Sequence, residues 1–89
     1  MILLALALAG ATAARPLPLD VRHYIERREG CDHWRGEYSP DPVRARQIEA
    51  GKRKECTGSD RELDRLRRTH RRVPRVVAAL SDYDKVEVR

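Results

Sequence analysis

Hydrophobic positions fall into two unlike regimes along this chain. From Ile2 to Ala9 they form an unbroken run, and Gly10-Ala11-Thr12-Ala13-Ala14 follows with small side chains only. Beyond Arg15 apolar residues are sparse and recur at helical spacing among charges. Arg15-Pro16-Leu17-Pro18 predicts an extended lead-in, because proline fixes its own φ and pushes the preceding residue out of the helical region. Asp20 is a good helix N-cap. Val21, Tyr24, Ile25 and Arg28 then follow at i, i+3, i+4 and i+7, which makes one narrow stripe. Gly30 reads as the stop, so the first predicted helix runs from Val21 to Glu29.

Cys31 to Tyr38 reads as a loop between two helix signals. Asp41 as N-cap with Pro42 at the first helical position starts a second helix, which should reach about Lys54. Its stripe is weak: Val43, Gln47, Ala50 and Lys54 share one face, and Ala45, Ile48, Lys52 and Cys56 an adjacent one. Gly51 costs that helix up to ~1 kcal/mol against Ala. Ser59-Asp60-Arg61-Glu62 matches a capping box, with Ser59 capping and Glu62 reaching back. Leu63, Leu66, His70 and Val73 recur behind it, with Arg61, Arg65, Arg68 and Arg72 on the opposite face, and Pro74 ends or kinks this third helix. Arg75 to Leu80 is too short for periodicity to separate helix from strand. Ser81 to Lys85 reads as a turn, and Val86 to Arg89 as a frayed end.

The opening run followed by small residues has the form of a secretory signal peptide, residues 1–14, with cleavage after Ala13 or Ala14. It lacks a positive residue at its start. The alternative is a buried N-terminal helix, but one apolar on every face is hard for so small a domain to cover. The run is well short of the ~20 residues that span a bilayer, and no Cys follows it to take a lipid. A periplasmic or secreted location is therefore expected, with no membrane span in the mature chain.

Export changes how the rest is read. The 19 Lys and Arg and the 14 Asp and Glu all follow Ala14, and there is no Phe. The core is thin, so a covalent staple would matter. Cys31 and Cys56 are the only cysteines. In an exported chain they are expected to form a disulfide worth roughly 3 kcal/mol. An intermolecular bridge or a redox pair are the alternatives, although redox pairs usually sit as C-x-x-C. The net charge of +5, carried mostly by Arg, attracts anionic partners. Export makes nucleic acid a poor choice among them.

Candidate chemistry is limited. Cys31, His33, Cys56 and His70 are the ligand types of a zinc site, but not at the spacing of a compact zinc motif. Ser39, Ser59 and Ser81 sit at helix starts and turns with no nucleophile elbow. Asp32 and Glu37 are a conceivable acid pair, with little room for a substrate cleft. No catalytic residue, metal ligand or cofactor is assigned, and the chain is not expected to be an enzyme. Trp34 and Tyr38 are either binding groups or the missing core. Arg65, Arg68 and Arg72 are either an anion-binding stripe or a solvated face.

The segment Cys31-Asp32-His33-Trp34-Arg35-Gly36-Glu37, with Cys56-Thr57-Gly58-Ser59-Asp60 and Leu63, Leu66, Arg67 and Arg68, resembles small exported proteins of proteobacteria. These carry a C-x-H-[FW]-x-G-E segment, a helix, and a second Cys before a short Leu/Arg helix. The resemblance spans about Leu19 to His70. It implies export and one disulfide and brings no mechanism with it. Those proteins often place an aromatic residue near the end of the Arg helix, where this chain has Thr69-His70, and residues from Arg71 onward look like an extension.

The expected architecture is all-α. Two or three short helices pinned by Cys31–Cys56 occupy residues 15–73, and a loosely ordered tail occupies 74–89. The expected function is non-enzymatic binding of an acidic protein or an anionic envelope polymer, through Trp34, Tyr38, Arg65, Arg68 and Arg72. The alternatives are a metal-binding protein using His33 and His70, or a cytoplasmic nucleic-acid binder if the opening run is not a signal.

Overall fold

The computed structural model describes residues 15–87, so the predicted signal peptide lies outside the described residues. Within them all regular structure is helical: α1 (Leu19–Arg35), α2 (Pro42–Cys56), α3 (Ser59–Thr69) and α4 (Pro74–Leu80). The expected all-α class is what the chain adopts, and Cys31 and Cys56 are joined as a disulfide with their Cα atoms 4.9 Å apart.

α1 is the organising element and is longer than its sequence signals suggest. It begins at Leu19, after Pro18, so Asp20 is not the cap but a first-turn residue whose Oδ1 accepts from the Val21 N–H at 2.8 Å. It also runs through Gly30 to Arg35, which turns the expected Cys31–Tyr38 loop mostly into helix. The reason is tertiary. Val21, Tyr24, Arg28 and Cys31 continue one buried face past the glycine, and a Cβ at Gly30 would lie 3.4 Å from the Glu55 carboxyl carbon of α2. Continuing the helix brings Cys31 round to Cys56.

α2 starts where its local signals put it. The Asp41 carboxylate accepts from the Arg44 N–H at 3.1 Å, and Pro42 occupies the first turn. The helix runs antiparallel to α1, with Trp34 opposite Gly51 and Cys31 opposite Cys56. A Cβ at Gly51 would lie 2.3 Å from two indole carbons of Trp34. The glycine that weakens α2 locally is what lets the indole lie on its backbone. The far end of α2 is held by Arg27, whose Nη2 donates to the Lys54 and Thr57 carbonyls at 3.0 and 2.8 Å. A cation there also opposes the negative end of the helix dipole.

α3 is not capped as a capping box would cap it. Gly58 precedes it with φ +84°, the left-handed region where glycine is favoured, and Ser59 is already helical. The Ser59 hydroxyl is buried with no partner among the described residues, and Glu62 bonds Arg65 instead of reaching back. The cap comes from far along the chain: Glu87 Oε1 accepts from the Asp60 N–H at 2.9 Å. Asp60 answers by accepting from the Val86 and Glu87 N–H groups at 2.7 and 3.1 Å.

That exchange is part of a larger correction. Residues after Pro74 are not a loose extension of a domain ending at 73. Val76 and Leu80 of α4 join Val21, Tyr24, Leu63 and Leu66 in a hydrophobic core. Tyr83 meets Tyr24 edge to face at 5.8 Å. Without Phe, α1 and α3 supply too little apolar surface alone, and the tail completes it. Arg28 threads this seam. It occupies a core position of the α1 stripe, donates to Asp32 Oδ1, the Tyr24 hydroxyl and the Asp84 carbonyl, and faces the Tyr83 ring.

Candidate functional site

The expected aromatic surface divides once the helices are in place. Trp34 belongs to the last turn of α1 and is half-buried over Gly51. The Arg44 guanidinium covers its ring at 5.3 Å from the centroid and also bonds Glu37 at 2.8 Å. His33 meets the indole edge to face at 5.2 Å. The indole is therefore built into the α1–α2 contact. Tyr38, just beyond α1, is 86% exposed and is the aromatic free to meet a partner.

The arginine stripe is also rearranged. Arg65 is paired with Glu62 through two hydrogen bonds of 2.6 and 3.1 Å, and that pairing holds the Glu62 carboxyl below its usual pKa. Arg68 remains exposed on α3. Arg72 lies beyond the helix end at Thr69, in the turn to α4, so the stripe does not continue as a helix face. A broader basic surface replaces it. No acidic residue occurs between Asp64 and Asp82, while Arg65, Arg67, Arg68, Arg71, Arg72 and Arg75 all lie in that interval. Arg68, Arg71, Arg72 and Arg75 are exposed, and none has a hydrogen-bond or ion-pair partner among the described residues. Arg67 is fixed by donating to the Leu80 and Tyr83 carbonyls at the end of α4. Sequence reasoning missed Arg71 and Arg75 because it followed one helix face. The acid-free interval itself was the available signal.

The candidate metal ligands do not assemble. Both cysteine sulfurs are consumed by the disulfide. His70 Nε2 bonds the Asp20 carboxylate at 3.0 and 3.1 Å, and that bond lowers the Asp20 pKa. His33 lies thirteen residues further along α1 than Asp20, about 20 Å at the helical rise. No group of three or more His, Cys, Asp or Glu that could hold an ion occurs among the described residues. The conceivable acid pair is likewise engaged, Asp32 with Arg28 and Arg35, and Glu37 with Arg44. Ser39 accepts from the Asp41 N–H, and Ser81 donates to the Ala78 carbonyl.

Two concavities border these groups. One, of about 210 Å³, lies between α1 and the start of α3 and is lined by Asp20, His23, Arg27, Arg28 and Glu62 among others. Its carboxylates already have partners in His70 and Arg65. The other, of about 370 Å³, lies between α3 and α4. Leu66, Val76 and Leu80 form its floor, the half-exposed Val77 one wall, and Arg67 and Arg71 its rim. Of the arginines in the acid-free interval, Arg67 and Arg71 line this groove. No helix among the described residues is long and apolar enough to cross a membrane. No protein-family model, curated protein or solved structure matches the chain.

Proposed function

We propose that this chain is an exported, non-enzymatic binding protein whose partner is anionic, either an acidic protein or an anionic envelope polymer. One observation carries the reading: the acid-free interval from Arg65 to Ser81, with Arg68, Arg71, Arg72 and Arg75 exposed and without an ion-pair partner among the described residues. Solvated arginines are ordinarily interleaved with carboxylates, as Arg65 is with Glu62 and Arg44 with Glu37 here. Leaving several of one sign together raises a local positive potential that attracts anions. The disulfide supports the exported part of the reading, since such bonds persist in oxidising compartments. Tyr38 at the opposite end of α1 is a second contact point, too distant to share one small ligand with the arginines.

The test is titration of the disulfide-bonded protein with poly-L-glutamate at rising salt. The proposal requires affinity that falls with salt. It also requires the combined variant R68E, R71E, R72E and R75E to lose that affinity while keeping its helical circular dichroism. Salt-independent binding, or full binding by the variant, would reject it.

A further inference from the structure

We infer that the groove between α3 and α4 is a docking site for a short acidic segment of a partner protein, one that carries an apolar side chain among its carboxylates. The inference rests on the anionic-partner reading above and narrows it from anions in general to a protein segment.

The apolar part of the groove is small and concave. Leu66, Val76 and Leu80 lie beneath it, and Val77 stands 49% exposed at its side although it belongs to the helix that completes the core. A volume of about 370 Å³ accepts one or two aliphatic side chains and little more. The rim has a single sign. Arg67 is pinned across one end by the Leu80 and Tyr83 carbonyls, Arg71 is exposed beside it, and no carboxylate lines the groove. Arg68, Arg72 and Arg75 are exposed on the same stretch of chain but do not line the groove.

A hydrophobic notch edged by Arg67 and Arg71 is complementary to an aliphatic side chain flanked by carboxylates. That is the composition of an amphipathic acidic peptide, which a groove reads through its apolar anchor and a basic rim reads through its charges. A phosphate or uronate polymer satisfies the arginines and leaves the notch unused. A flat lipid surface also fits poorly, because the notch is concave and Val77 is the one half-exposed aliphatic residue among its lining groups.

The probes are two short synthetic peptides, one of glutamates with central leucines and one with serine at each leucine, alongside poly-L-glutamate and vesicles of anionic phospholipid. Binding to the disulfide-bonded protein is measured by calorimetry. The leucine peptide should bind about tenfold more tightly than the serine peptide, the effect of partly burying an aliphatic side chain. Val77→Asp should erase that preference, and Val77→Ser, which adds no charge, should reduce it if the aspartate variant does not fold. Equal binding of the two peptides would overturn the docking site while leaving the basic-surface reading intact. Binding to vesicles but to neither peptide would overturn it in favour of a lipid surface. No binding to any probe at low salt would overturn both readings.

Discussion

Replacing Gly51 with alanine sets two physical effects against each other. In an isolated helix the change is favourable by up to ~1 kcal/mol, because glycine loses more backbone freedom than alanine. In this protein the added Cβ would lie 2.3 Å from Cδ2 and Cε2 of Trp34 and 2.7 Å from Cγ. Carbon atoms pack no closer than about 3.5 Å, so the indole must retreat by more than an ångström. Overpacking of this kind costs about 1–3 kcal/mol, and a displaced indole also loses the Arg44 cover, about 0.5–1 kcal/mol. The balance is a net destabilisation of about 2 kcal/mol, each kcal/mol lowering Tm by roughly 4–8 °C for a domain of this size. Thermal unfolding by circular dichroism measures it. Trp34 is the only tryptophan, so its emission should shift to the red in the variant. The sharper assay is the double variant. With Trp34→Ala already in place the clash is gone, and Gly51→Ala should then stabilise by up to ~1 kcal/mol. A stabilised single variant with unchanged emission, or the same sign in both backgrounds, would refute the packing argument.

Further outcomes follow from other contacts. Reducing Cys31–Cys56 should lower stability by roughly 3 kcal/mol, seen as an earlier urea midpoint; an unchanged midpoint would contradict the stapling role. Asp60→Ala removes both bonds to the Val86 and Glu87 amides and should cost about 1–3 kcal/mol, with faster hydrogen exchange at those two amides as its local signature. The His70 bond lowers the folded-state pKa of Asp20 below its unfolded value. Its contribution is therefore complete above about pH 4, the unfolded range, and is lost as pH falls through the lowered value. Asp20→Asn should flatten the acid limb of the stability curve in that window, and an identical acid limb would refute the pairing.

Local chemistry was legible in this sequence, and long-range chemistry was not. Asp41-Pro42 marks the start of α2 correctly because that cap is completed within three residues. The start of α3 was misread because its cap comes from Glu87, twenty-seven residues away. Gly30 resembles a stop on its own, and the buried face that runs on to Cys31, with its disulfide, explains why α1 continues through it. Trp34 and Gly51 each look anomalous alone, an aromatic in a polar segment and a glycine in a helix, and each accounts for the other. The candidate site followed the same division. Arg68 and Arg72 were visible as charges, but the groove beside them needs α4 packed on α3, and the sequence left Arg75 to Leu80 open between helix and strand.

Export is the proposed property from which the anionic-partner reading proceeds, and the Cys31–Cys56 disulfide is its structural support. Intact mass of the protein recovered from the envelope fraction, before and after reduction, tests it most directly. The account predicts loss of the residues through Ala13 or Ala14 and a gain of about 2 Da on reduction, the mark of one internal disulfide in an exported chain. A full-length, fully reduced chain recovered from the cytoplasm would contradict it.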